Sequence, residues 1–233
     1  MKKLLFVSAL VLSAMSASAQ DYTYERDLVS TDSEWHLNFG YVNKEWITDF
    51  HDGEVVHENF WGEPDKKLHG MQFGFDYMPK LSFGLGLKTG AYFEYYTSVS
   101  DYVLDRGWDR FSEYGLYFPL QLMWDIRCTD YVSIQPYAGL GFNWSMYGNF
   151  EEDWSYRYGY YYDSYYEPHE YEQYGKGNPK RWNNQLEYGV MLKFNSFVIG
   201  AAFSKGFRDH ELYDGYKSYQ DKFTITLGLT LDD

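Results

Sequence analysis

The chain has 233 residues, a formal net charge of -14 and 22% aromatic residues, among them 26 tyrosines. The acidic balance repels phosphate backbones and excludes a nucleic-acid binder. The single cysteine, Cys128, can close no internal disulfide and reads as an incidental turn residue with no metal or catalytic pattern around it.

At the N-terminus, Lys2 and Lys3 precede the apolar run Leu4 to Leu12, and the small residues Ala17, Ser18 and Ala19 follow. This order predicts a cleavable secretory signal over residues 1–19, too short to cross a bilayer as a mature helix. Residues 20–33 read as an N-terminal periplasmic segment and residues 34–233 as one domain. Beyond the signal no run approaches 18 apolar residues, which excludes a helical membrane protein.

Eight segments then alternate with the period of two expected of half-buried strands. In chain order they run from Glu34 to Val42, Gly70 to Met78, Leu81 to Tyr96, Ser112 to Ile126, Tyr131 to Met146, Arg181 to Phe194, Phe197 to Phe207 and Lys222 to Leu231. The second interleaves Met71, Phe73, Phe75 and Tyr77 with Gln72, Gly74 and Asp76. Tight connections, at Pro79, at Arg127 to Asp130 and at Asn195 with Ser196, alternate with long ones after Val42, Tyr96, Met146 and Phe207. This rhythm predicts an all-β, eight-stranded antiparallel up-and-down transmembrane β-barrel with short periplasmic turns and long extracellular loops.

Alternation alone also suits a soluble barrel, and residue size separates the two. Trp35, Phe83, Leu120, Trp124, Phe142, Trp144, Phe194 and Phe203 share one face, whereas the strand glycines, including Gly40, Gly74, Gly139 and Gly200, share the other. An eight-stranded barrel is only just wide enough inside for its own side chains, so the large face points to lipid. Outward aromatics also sort into two girdles. Trp35, Tyr77, Phe83, Trp124, Phe194 and Phe197 fall near the tight turns, and Tyr41, Tyr95, Tyr114, Trp144, Trp182 and Phe207 near the long loops.

The run Tyr117, Phe118, Pro119, Leu120, Gln121, Leu122 and the following Ile134, Gln135, Pro136, Tyr137, Ala138, Gly139 resemble the proline-leucine and proline-tyrosine strands of the outer-membrane protein β-barrel domain family. These are the PorT-like or "porin family" small barrels of Bacteroides-type bacteria. The resemblance implies an outer-membrane location in a Gram-negative cell envelope. Two features depart from the family pattern: Trp124 and Asp125 stand where a basic residue often closes the proline-leucine strand, and the chain ends Leu231, Asp232, Asp233. A role in protein secretion does not carry over.

Inward positions collect Asp76, Lys88, Glu94, Asp125, Glu187 and Lys193. Buried charges persist when paired, so a polar plug is expected, with Lys88 pairing with Glu187 and Lys193 joining Asp76 and Asp125 at the periplasmic end. A proton or ion path through the lumen is the alternative. In the loop from Tyr147 to Lys180, Trp154, Tyr156, Tyr158, Tyr160, Tyr161, Tyr162, Tyr165 and Tyr166 could contact a protein or glycan, or simply prolong the fifth and sixth strands as a hairpin.

His51, His57 and His69 near Asp52 and Glu54 match no compact ligand motif, and no metal or other cofactor is expected. His57, His169 and His210 are each followed by glutamate, and no histidine has a serine two positions on, as lipid A deacylases of this shape have. Lys205 sits on the lipid face near its external end, placed to meet a lipopolysaccharide phosphate or to snorkel. The leading expectation is a non-enzymatic, monomeric barrel acting as a closed anchor for binding loops. A narrow uptake accessory channel and a lipid-modifying enzyme are the alternatives.

Overall fold

A computed structural model describes residues 33–49, 55–58, 67–81, 84–101, 108–129, 131–153, 169–172, 181–207, 210–211 and 217–231. All of these lie in the compact unit Thr31–Asp233. Eight long strands dominate: β1 (Glu34–Asp49), β2 (Leu68–Met78), β3 (Leu85–Asp101), β4 (Trp108–Trp124), β5 (Val132–Asp153), β6 (Trp182–Phe194), β7 (Phe197–Gly206) and β8 (Lys217–Leu231). Each pairs antiparallel with its sequence neighbour, and β8 returns to β1 over the register Trp35↔Leu231 to Asp49↔Lys217. The sheet is therefore closed and every barrel strand has two partners, which removes the exposed edges an open sheet would carry.

The polarity is inverted relative to a soluble protein. On β2, Met71, Phe73 and Phe75 are 51%, 54% and 46% exposed, whereas Gln72 and Asp76 between them are buried. Leu122 at 64% and Leu227 at 57% continue the apolar exterior around the wall, and Gln135 and Glu94 are fully buried inside. Lipid accepts such an exterior, and closure gives each barrel strand a hydrogen-bonding partner on both sides, the condition for spanning a bilayer with strands.

Turn chemistry explains the tight ends. Asn195 adopts φ 51° between the paired Phe194 and Phe197, and asparagine tolerates that left-handed region better than most residues. Gly84 adopts φ 76° in the connection between β2 and β3, where Leu81 N–H donates to Leu85 O at 2.7 Å. The turn is thus broader than the tight connection expected at Pro79, and β3 begins at Leu85 instead of Leu81. A bulge interrupts β4 against β5: Tyr114 faces Tyr147 and Gly115 faces Ser145. Met146 is the extra residue, and both it and Tyr147 are exposed.

At the other end the strands outrun their apolar patterns. β1 continues past Val42 to Asp49, β5 past Met146 to Asp153, and β8 starts at Lys217 instead of Lys222. Short strands flank these extensions: Val55–Glu58 on β1, His169–Glu172 on β5 and His210–Glu211 on β8.

Candidate functional site

The inward side chains of the eight strands meet in layers along the lumen, and each layer is charge-paired. At the tight-turn end, Glu34 opens β1 beside Lys80 at 2.5 Å, Lys193 at 2.8 Å and His36 at 3.3 Å. Lys80 also reaches Asp125 at 2.9 Å, and Gln135 donates to Asp125 at 3.3 Å. Burial pushes the Lys80 ammonium down, but the hydrogen bonds and charges of Glu34 and Asp125 outweigh it and hold the group above the ordinary lysine value.

In the middle, Lys88 Nζ lies 3.3 Å from Asp76 Oδ1 and donates to Gln121 Oε1 at 3.2 Å. Asn38 donates to Asp76 Oδ2 at 2.8 Å and to the Tyr92 hydroxyl at 2.9 Å. Glu187 accepts bonds from Tyr117 at 2.7 Å, Ser204 at 2.7 Å and Gln121 at 2.6 Å. The expected Lys88–Glu187 pair does not form. Strand tilt staggers the register, and Gln121 stands between the two groups while Asp76 takes the ammonium. Asp76 accordingly belongs to this middle layer, not to the end cluster of Asp125 and Lys193.

Nearer the external end, Glu94 binds Lys222 at 2.9 Å, with further bonds from Asn143 at 2.5 Å and Tyr96 at 2.7 Å. Above it Lys44 pairs with Glu113 at 2.5 Å, and Ser145 donates to Glu113 at 2.6 Å. Three ammoniums also lie over tyrosine faces: Lys222 over Tyr117 at 3.5 Å, Lys44 over Tyr96 at 4.1 Å and Lys88 over Tyr137 at 4.7 Å, an arrangement that stabilises desolvated cations.

All six residues expected in the lumen are inward. Five partners escaped the sequence reading: Glu34, Lys44, Lys80, Glu113 and Lys222. Continuing the parity of Asn38 and Val42 along β1 would have found Lys44, and the same step along β8 would have found Lys222. Lys80 lies in a turn, where no strand parity applies.

Glycine makes this packing possible where strands approach most closely. A Cβ on Gly74 would stand 2.2 Å from Ala91 O and 2.6 Å from Tyr92 Cα. One on Gly139 would stand 2.4 Å from Leu120 O.

Outside, aromatic rings gather in two bands. Trp35 and Tyr77 have centroids 4.6 Å apart at the tight-turn end. Toward the other end Tyr114 stacks between Tyr95 at 5.9 Å and Tyr147 at 5.1 Å, and Trp144 on Trp182 at 6.0 Å. Lys205 is exposed, with its ammonium 5.7 Å from the Tyr219 ring centroid. Phe83 lies outside the described residues.

The external-loop candidates Trp154, Tyr156, Tyr158, Tyr160, Tyr161, Tyr162, Tyr165 and Tyr166 also lie outside the described residues. Flanking them, Asn149 to Glu152 pair with Glu172 to His169, so the fifth strand does continue as a hairpin arm. His51 lies outside the described residues as well. His69 is exposed, with Nδ1 2.5 Å from the Tyr41 hydroxyl, and among the described residues no three His, Cys, Asp or Glu side chains converge on a metal position. Cys128 is exposed in the tight connection after β4.

A closed antiparallel barrel with an apolar, aromatic-banded exterior and a charge-paired interior is an outer-membrane β-barrel. No family model matches the chain, and no curated protein matches it. Among solved structures it is similar to Ail, the attachment invasion locus protein of Yersinia pestis, in complex with the heparin analogue sucrose octasulfate. The identity there is 17%, with 86% of this chain and 99% of that chain covered, at a TM-score of 0.43. It is also similar to Neisserial surface protein A, at 7% identity, 86% and 99% coverage and a TM-score of 0.43. The transport unit of the autotransporter AIDA-I from Escherichia coli follows at 9% identity, 95% and 97% coverage and a TM-score of 0.36.

Proposed function

We propose that this protein is a non-enzymatic anchor in the outer membrane, closed to solutes, whose external Tyr-rich acidic loops bind a protein or glycan partner. The observation that carries this reading is the lumen itself. From Glu34 to Glu113 ion pairs and tyrosines occupy the lumen, and among the described residues the space left in the middle layer is of water size, too small to pass a solute. Activity then falls to the external end, where β1, β5 and β8 extend beyond the apolar wall and carry short flanking strands. Tyrosines there offer large contact area at low conformational entropy cost.

The same reading takes residues 1–19 as an export signal, 20–33 as a periplasmic segment and the remainder as a monomeric barrel resembling the PorT-like small barrels. Lys205 then meets lipopolysaccharide phosphate at the outer leaflet.

The test uses proteoliposomes carrying the full chain, presented to arrays of glycans and of extracellular-matrix proteins. Binding should appear on the array and vanish when residues 154–168 are replaced by a Gly-Ser segment of equal length. Binding that survives the replacement, or an array with no signal at all, contradicts the loop reading.

A further inference from the structure

We propose that the middle of the lumen binds one water molecule, held between the Lys88–Asp76 ion pair and Glu187. A void of about 20 Å³ lies there, with Gln72, Asp76, Lys88, Tyr137, Glu187 and Thr224 in its wall, and that is room for a single water. Its origin is β7, which presents Gly200 and Ala202 to this layer opposite the tyrosines of β3, β4 and β5.

The wall asks for a hydrogen-bond donor. Gln72 Oε1, Asp76 Oδ1 and Thr224 Oγ1 have no hydrogen-bond partner, although the three residues are only 4%, 1% and 4% exposed. Gln72 commits its amide nitrogen to Thr226 Oγ1 at 3.3 Å, which leaves its carbonyl oxygen over. Asp76 receives Asn38 on Oδ2 at 2.8 Å, and its other oxygen faces Lys88 at 3.3 Å without closing a hydrogen bond. Buried acceptors in native proteins are nearly always satisfied, by protein or by ordered water.

Charge narrows the guest further. The layer holds two carboxylates and one ammonium. Glu187 accepts three donated bonds and offers no donor, and with Asp76 it lines the void with carboxylate oxygens, so an anion is disfavoured. A divalent cation takes six or more oxygens and would sit against the Lys88 ammonium. Water donates two hydrogen bonds and accepts from Lys88 or the Thr224 hydroxyl, matching the orphaned oxygens and the donors beside them. This site stands independently of what the loops bind.

Nuclear Overhauser transfer from water to alanine methyls, recorded on the full chain in lipid nanodiscs, tests it. A cross-peak from a long-lived water is expected at Ala202, absent at the lipid-facing Ala201, and retained in Tyr137→Phe, which removes relay through that hydroxyl. Its absence at Ala202, or its loss in Tyr137→Phe, overturns the proposal. Ala202→Val separates a wet site from a dry one. Evicting the water strands the oxygens, so the urea midpoint should shift lower, whereas filling a dry void would shift it higher and contradict the site. The wild-type midpoint should be the same in sodium and choline chloride at equal ionic strength. A midpoint that depends on the cation would assign the void to a monovalent ion instead.

Discussion

The ammonium of Lys222 lies 2.9 Å from Glu94 Oε1, tying the last barrel strand to the third across the lumen. Both side chains are almost completely buried, at 2% and 0%, so neither has water to fall back on. Removing one partner of a buried pair leaves a bare charge and costs about 3–5 kcal/mol, more than the pair itself contributes. Lys222→Met should therefore lower stability by about that amount, and the double variant Lys222→Met with Glu94→Gln should recover a large part. Urea titrations followed by tryptophan fluorescence in detergent micelles read both. A double variant as unstable as the single would argue that the two groups act separately.

The middle layer makes a sharper distinction. Lys88 ion-pairs with Asp76 and is separated from Glu187 by Gln121. Groups in direct contact show coupling of about 0.5–3 kcal/mol in double-mutant cycles. The cycle of Lys88→Met with Asp76→Asn should fall in the upper part of that range, and the cycle with Glu187→Gln should give the smaller coupling of a bridged contact. The reverse order would move the lysine to the other carboxylate.

This layer also marks where sequence reasoning stops. Parity along a strand decides which face a side chain takes, because the period is two and a one-residue slip reverses every position. Parity puts Asp76, Lys88, Glu94 and Glu187 on the inward face, and all four are buried there. Partner choice depends instead on the stagger between strands, which brings Lys88 to Asp76 and Lys222 to Glu94. No local pattern in the chain encodes that stagger. Strand ends escape the pattern for a related reason. Past Val42 and before Lys222 the outward positions turn polar, and the apolar signal fades while the pairing of β1 with β8 continues to Asp49↔Lys217.

Two glycines on the same inward face should respond differently to one methyl group. At Gly74 an added Cβ meets backbone, with Ala91 O at 2.2 Å, so the strands themselves must part. At Gly200 the nearest atom is Met191 Cγ at 3.2 Å, a flexible side chain. Gly74→Ala is expected to cost about 1–3 kcal/mol or more and Gly200→Ala to stay below about 1 kcal/mol. Folding yields into lipid vesicles, read from heat-modifiable gel mobility, rank the two. Equal yields would contradict the close strand approach at Gly74.

The lipid-facing wall predicts a dependence on depth. Leu120 is 45% exposed on the exterior of β4, between Tyr114 and Trp124 of the two aromatic bands. Leu120→Arg should cost about 2–4 kcal/mol, and Lys205→Met near the external interface should change stability by about 1 kcal/mol or less. Reversible urea titrations in lipid vesicles measure both. A tolerated arginine at Leu120 would mean that this face meets water or protein instead of hydrocarbon.

Conductance across a planar bilayer decides whether the lumen is closed. With the full chain inserted in 1 M potassium chloride, a barrel filled from Glu34 to Glu113 by paired charges and tyrosines is expected to give a baseline free of steady steps. A steady open conductance that scales with the amount of protein inserted would contradict the plug, and with it the assignment of function to the external loops.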